Sequence, residues 1–155
     1  MRLLPLLLLP LLLISCGPDP LYTSRHDFPS GWSYADSLTF AFDVQDTTAR
    51  YDLELSLAHA PTFPNQNTYV LIDTYFPDGR HLTQPVSLEL ADRFGRWYGD
   101  CNGETCELTV PIQRNARFDR AGAHRLVVRQ YARREVLPEV TEVGFRVVPH
   151  EFTSP

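Results

Sequence analysis

The sequence has no lysine and no apolar segment long enough to cross a membrane as a helix. All 14 basic residues are arginines scattered along the chain, and the net charge is −5. Without a basic cluster, the chain lacks the electrostatic footprint of a nucleic-acid-binding protein. The longest apolar run, residues 3–14, contains two prolines and is shorter than the roughly 20 residues that a membrane-spanning helix needs.

Signatures of catalysis and metal binding are also missing from the sequence. It contains no nucleophile elbow, zinc-protease, Walker or dinucleotide-binding motif, and its five histidines do not share metal-ligand spacing. Residues 100–103 resemble the front of a calcium loop, but the glycine comes two places too early for an EF-hand. We therefore expect a non-enzymatic protein without metal, cofactor or small-molecule substrate. A hydrolase would require the fold to gather distant acidic or nucleophilic residues.

The N-terminal segment has the features of a bacterial lipoprotein signal peptide. A positive start with Arg2 precedes the apolar run, and Leu-Ile-Ser-Cys at residues 13–16 matches the lipobox, whose cysteine thiol receives a diacylglyceryl group. Gly-Pro-Asp-Pro follows directly and favours a tether over an ordinary signal peptide with an incidental cysteine. We expect residues 1–15 to be removed and Cys16 to carry the covalent lipid that anchors the protein to a membrane of the cell envelope.

The two remaining cysteines, Cys101 and Cys106, are separated by four residues. In an exported protein, two leftover cysteines favour a disulfide. A metal site would need further histidine or cysteine ligands nearby, and none lies within ten residues. The sequence therefore predicts a disulfide between Cys101 and Cys106.

Alternation of apolar and polar residues with a period of two dominates the rest of the chain. The clearest segments are Leu38–Val44, Leu53–Leu57, Thr68–Phe76, Val86–Leu90, Leu108–Ile112, His124–Val128 and Val143–Val147. This pattern predicts seven or eight strands and an all-β fold, a single antiparallel β-sandwich that is immunoglobulin-like or jelly-roll-like. We expect residues 16–36 to form an acylated tether, residues 37–149 the sandwich and residues 150–155 a C-terminal tail.

Three aromatic residues invite a functional interpretation. His124 follows Asp119 and Gly122 as the tyrosine follows similar residues in a tyrosine corner, so we expect a corner hydrogen bond from its ring, not catalysis. Trp97 and Tyr98 would form a stacking platform for sugars if both were exposed, which makes a carbohydrate-binding envelope lipoprotein the alternative function. Aromatic residues in such segments more often pack against the core.

The segment QYARREVLPEV, residues 130–140, interrupts the alternation between two core strands. One interpretation is a rigid knob of Leu137 and Pro138, ringed by Arg133 and Arg134, that contacts a partner protein, since arginines and apolar anchors dominate interface energetics. The other is that Leu137 folds back to close one open end of the sandwich while the arginines are solvated.

The order of these motifs resembles the gliding-motility lipoprotein H (GldH) family of Bacteroidota, from about Tyr34 to Val148. The most specific parts are Phe-Pro-Asp-Gly at 76–79, Leu-Ala-Asp at 90–92 with Gly-Arg-Trp at 95–97, and the segments at 130–138 and 143–144. The lipobox Cys16 matches as well, whereas the CNGETC loop departs from the pattern.

The resemblance implies an accessory lipoprotein of the gliding apparatus, linked to type IX secretion, with no catalytic residues to carry over. Its partners would be envelope proteins of that motility and secretion complex. We expect it in the outer membrane, facing the periplasm.

Overall fold

Eleven strands make up the fold of residues 19–151, the part of the chain that the structure, a computed structural model, describes. Eight of them are long and three have only two residues. They are β1 (Tyr22–Asp27), β2 (Trp32–Ser33), β3 (Ser37–Val44), β4 (Tyr51–His59), β5 (Asn67–Tyr75), β6 (His81–Glu89), β7 (Asp100–Cys101), β8 (Cys106–Ala116), β9 (Gly122–Gln130), β10 (Val136–Leu137) and β11 (Val140–Pro149). Within this range, no helix has the length and apolar character needed to span a membrane.

Two antiparallel sheets face each other. The first has the strand order β1-β11-β4-β8-β7 and the second β3-β9-β5-β6, while β10 and β2 form a small separate ribbon. Among the long strands, the chain changes sheet at every connection except the β5–β6 hairpin. This order is that of a jelly roll, in which two Greek keys wrap around one core. The predicted antiparallel β-sandwich is therefore confirmed, and its topology is the jelly-roll alternative.

The core forms where the alternating strands turn their apolar faces toward each other. Along β3, buried and exposed residues alternate without exception. Phe40 and Phe42 of β3 lie opposite Phe145 of β11, with ring centroids 5.3 and 5.9 Å apart. Because these rings come from different sheets, their contact joins the two layers of the sandwich.

The predicted tether over residues 16–36 is too long, because strand β1 begins at Tyr22. This strand pairs with β11 along its whole length, from Tyr22 opposite Val147 to Asp27 opposite Glu142. The sequence signal was weak because β1 is an edge strand whose inward face is only half-buried. The buried Trp32 of β2 also lies inside the predicted tether. The sandwich thus begins at residue 22.

The sandwich has two ends that differ in their relation to Cys16. The start of β1 lies beside Val147 and Leu53, so it shares an end with loops 45–50, 76–80 and 117–121. We call this the proximal end, because Cys16 precedes Tyr22 by only six residues. The opposite, distal end is formed by loops 28–36, 60–66, 90–105 and 131–139.

Seven large apolar or aromatic side chains are exposed within residues 19–151. They are Tyr34, Tyr69, Leu82, Phe94, Tyr98, Tyr131 and Val136. All except Leu82 lie in the distal loops or in the distal half of a strand. The exposed apolar side chains of the described range are therefore concentrated at the distal end.

Candidate functional site

A buried glutamine organises the loop after β9. Gln130 is only 3% exposed, and its side-chain Nε2 donates to the carbonyl oxygens of Arg134 and Glu135 at 2.9 and 3.0 Å. Its Oε1 accepts from the backbone N–H of Ala132 at 3.0 Å. These bonds satisfy the buried amide and fix the loop backbone. Gln130 was not among the predicted site residues, although a polar residue at a core-facing strand position was the available signal.

Leu137 does not form the predicted contact knob. It is fully buried in the core and pairs with Trp32 in the β10–β2 ribbon. The next residue, Pro138, is exposed. Its backbone packs closely on Gly31, because a Cβ added to Gly31 would lie only 2.5 Å from the Cα of Pro138. Leu137 is thus unavailable to a partner. The other interpretation, in which it closes one open end of the sandwich, is confirmed.

The two predicted contact arginines have different surroundings. Arg134 is held at 3.2 Å from a carboxylate oxygen of Glu139. Arg133 is exposed and makes no ion pair with any residue in the described range. Arg133 therefore offers a free positive charge at the distal end, whereas the charge of Arg134 is already balanced.

Three exposed tyrosines, Tyr34, Tyr69 and Tyr131, lie in or beside the loop after β9, and we call them the distal patch. The backbone N–H of Tyr131 donates to the carbonyl of Tyr69 at 2.8 Å, and the Tyr34 hydroxyl donates to the carbonyl of Ala132. These bonds link the three separate chain segments that carry the tyrosines, which is why the sequence did not reveal the patch.

Next to the distal patch lies a surface cavity of about 320 Å³. Tyr34, Tyr131, Leu71 and Arg129 contribute to its lining. Tyrosine and arginine are enriched at protein–protein contacts, because they combine a large contact area with polar groups. The composition of this surface suits binding of a protein.

Arg129 is oriented by a carboxylate on the outer face of the second sheet. Asp73 is only 6% exposed there, and it accepts hydrogen bonds from Thr83 Oγ1 and Arg129 Nη2, both at 2.5 Å. The bond from Thr83, followed by the bond and charge of Arg129 and a bond with His81, holds the pKa of Asp73 below its usual value. The carboxylate thereby fixes Arg129 beside the distal patch.

This cluster lacks the geometry of a hydrolase triad. Asp73 Oδ1 and Thr83 Oγ1 both lie 3.3 Å from the same nitrogen of His81, Nε2. In a triad, the nucleophile and the carboxylate contact different ring nitrogens, so that the imidazole can take a proton from one side while held from the other. The arrangement therefore suits positioning of Arg129, not nucleophile activation.

Trp97 and Tyr98 do not form a common stacking platform. The Trp97 ring is half-buried and packs edge-on against His59, at 4.6 Å between ring centroids. Tyr98 is exposed and lines a separate surface cavity of about 510 Å³ beside the disulfide loop. The platform proposed for sugar binding is therefore wrong.

The predicted disulfide between Cys101 and Cys106 is present and joins β7 to the start of β8. Cys106 is fully buried, whereas Cys101 is exposed. The bond therefore fastens the end of the long loop 90–105 to the edge of the first sheet.

His124 makes the expected corner hydrogen bond. Its Nδ1 lies 2.9 Å from the carbonyl oxygen of Gly122, and its ring stacks on Phe42 in the core. The side chain is 2% exposed, so His124 has a structural role.

The predicted lipid attachment residue, Cys16, lies outside the described residues. Within residues 19–151, no three His, Cys, Asp or Glu side chains are grouped so that they could hold a metal ion.

Comparison with known proteins gives consistent matches along the chain. The family model of the GldH lipoprotein matches residues 20–147. Gliding motility lipoprotein GldH of Flavobacterium johnsoniae is 24% identical over 149 residues, covering 92% of each chain. A gliding motility lipoprotein GldH homolog of Christiangramia forsetii is 24% identical over 133 residues, covering 81% of this chain and 80% of that protein.

One solved structure is also similar, the subviral particle of infectious bursal disease virus VP2. The match covers 86% of this chain and 31% of that chain, at 12% identity and a TM-score of 0.32. This similarity is too low to support an argument.

Proposed function

The chain belongs to the GldH lipoprotein family, and we propose that it is a lipid-anchored accessory protein of the gliding-motility apparatus. In this proposal Cys16 carries the lipid, and the protein faces the periplasm from the outer membrane. It acts without catalysis, by binding envelope proteins of the motility and type IX secretion complex. The names of its relatives support the link to gliding and the lipid anchor.

The observation that carries the contact role is the uneven distribution of exposed apolar side chains. Six of the seven in the described range lie at the distal end, away from the start of β1. An anchor at Cys16 keeps the proximal end within about 20 Å of the membrane surface, because six residues extend no further. The distal end is then the part of the sandwich that is presented to proteins beyond the membrane.

Deletion of the gene in the native host tests this function. We expect the deletion strain to lose movement over a surface and to release less type IX cargo into the medium. The wild-type gene restores both, whereas a Cys16→Ala gene does not, because the protein is no longer held at the membrane. A deletion strain that moves and secretes like its parent would contradict the proposed function.

A further inference from the structure

The turn at residues 92–96 presents one phenylalanine to solvent, and we call it the Phe94 turn. The Phe94 side chain is 71% exposed, more than any other large apolar side chain of residues 19–151. Protein surfaces contain many single apolar residues, so exposure alone does not indicate a contact site. Phe94 differs in that several hydrogen bonds hold its turn in place.

Asp92 fixes the Phe94 turn through its carboxylate. Oδ1 accepts from the backbone N–H groups of Phe94 and Arg96 at 2.8 and 3.0 Å, and Oδ2 accepts from Arg96 Nε at 2.7 Å. The backbone N–H of Asp92 also donates to the carbonyl of Arg96 at 2.9 Å. Gly95 supplies the positive φ of +80° that this tight turn requires.

The base of the turn is joined to the body of the sandwich. Ala91 is bridged to Trp97, whose ring packs against the buried His59. The backbone N–H of Ala91 donates to the carbonyl of Gln66 at 3.0 Å. Phe94 is therefore displayed by a pre-organised support, and a partner that binds it need not order a flexible loop.

Two guanidinium groups flank the exposed ring. That of Arg93 lies 4.6 Å from the ring centroid and that of Arg96 5.9 Å. The Asp92 carboxylate lies 2.7 Å from Arg96 Nε and balances its charge, whereas Arg93 has no ion pair in the described part of the chain. A surface that receives Phe94 must therefore combine an apolar pocket with a negatively charged rim.

We propose that Phe94 is the anchor residue by which this protein docks into an apolar, carboxylate-rimmed pocket of a partner protein. This inference rests on the proposed function, because it assumes that Cys16 tethers the proximal end to the membrane. Strands of nine residues, such as β5, extend about 30 Å and separate the Phe94 turn from that end. The placement favours a protein as the occupant over the membrane that holds the lipid.

Photo-cross-linking in native cells tests the contact. Phe94 of the full-length protein is replaced by p-benzoylphenylalanine, and Leu82, an exposed apolar residue at the proximal end, is replaced likewise as the control. We expect an adduct with another protein at position 94, at least tenfold more abundant than at position 82. The cross-linked partner peptide is expected to contain apolar residues together with Asp or Glu.

Two point variants test the chemistry of the same contact. Phe94→Ala and Arg93→Glu should each lower, at least tenfold, the amount of the native envelope complex that contains this protein. Leu82→Ala, an exposed apolar residue at the proximal end, should lower it less than twofold. All three variants should unfold at the wild-type urea concentration, because the replaced side chains lie at the surface.

The inference is overturned by an adduct with lipid alone, by an adduct with a second copy of this chain, or by equal labelling at positions 94 and 82. It is also overturned if Phe94→Ala leaves the complex at its wild-type amount. These readouts do not depend on movement. The two failures can be told apart. If the deletion strain moved and secreted normally, but the protein labelled at position 94 still gave its adduct in native cells, the proposed function would be wrong and the contact would stand.

Discussion

The loops that connect strands at the two ends of the sandwich differ in length and in the side chains that they expose. At the proximal end, short loops are closed by their own carboxylates. Asp46 accepts from the backbone N–H and hydroxyl of Thr48, and Asp78 accepts from the backbone N–H and side chain of Arg80. The distal connections are longer and carry five of the seven large apolar side chains that are exposed in the described range, and Tyr69 lies beside them near the start of β5.

The distal exposure does not come from a poorly packed end. Trp32 and Leu137 are both completely buried there, in the β10–β2 ribbon. The tyrosines of the distal patch and Phe94 lie outside this closed core, where Gln130 holds the loop of Tyr131 and Asp92 holds the Phe94 turn. Residues that close the distal end are thus distinct from residues exposed on it, and we expect the two groups to respond differently to mutation.

The largest expected effect is on stability, at the residue that closes the distal end. Leu137→Ala should lower the free energy of unfolding by about 3 kcal/mol, because it removes apolar contacts and leaves a cavity. The neighbouring exposed residue supplies the control, since Val136→Ala should change it by less than about 0.5 kcal/mol. Urea unfolding of the purified protein measures both. Similar losses for the two variants would mean that Leu137 does not close the core.

A smaller loss is expected when the distal loop 90–105 is released from β8. Replacing Cys101 and Cys106 together by serine should cost about 2 kcal/mol, as the chain-entropy model gives for so short a loop. Thiol titration of denatured, unreduced protein from the envelope provides the direct check. Neither Cys101 nor Cys106 should react, and two reactive thiols would contradict the disulfide.

The smallest stability effect concerns Asp73, which positions Arg129 beside the distal patch. Asp73→Asn should cost about 1–2 kcal/mol at neutral pH, since it weakens hydrogen bonds to a charged group. The folded-state pKa of Asp73 is lowered, so its contribution is present above the unfolded value of about 3.9 and is lost as the pH falls through the folded value.

Urea unfolding at several pH values tests the role of Asp73. The difference between wild type and Asp73→Asn should shrink steadily below about pH 5. Asp43→Asn, on the exposed face of β3, is the control and should change stability by less than about 0.5 kcal/mol. A loss for Asp73→Asn that stays the same down to pH 3 would indicate that packing, not charge, is responsible.

The sequence was sufficient to predict the central strands but not the edges of the fold. Strands β3, β4 and β9 could be predicted because one face of each is buried, so apolar residues recur at every second position. Strand β1 escaped detection because an edge strand with a half-buried face can have Tyr, Ser and His on its inner side. Its partner in the sheet, β11, is distant in sequence, and only the fold brings the two together.

The candidate site shows the same division between local and long-range information. The disulfide and the corner bond of His124 depend on residues close in sequence, and both predictions are confirmed. The direction in which Leu137 points could not be predicted, because an apolar residue in a polar loop fits either a core or a contact. The distal patch depends on three segments that meet only in the folded protein.

A cellular assay that compares the two ends of the sandwich tests whether the distal end binds the partner. A gene encoding Tyr69→Ala with Tyr131→Ala, and a gene encoding Leu82→Ala, are each introduced into the deletion strain, and movement over a surface is measured. We expect the distal double variant to reach the envelope in wild-type amount but to fail to restore movement, whereas the proximal Leu82→Ala variant restores it fully. Full movement with the distal double variant, at wild-type abundance, would contradict the claim that the distal end is where this protein binds its partner.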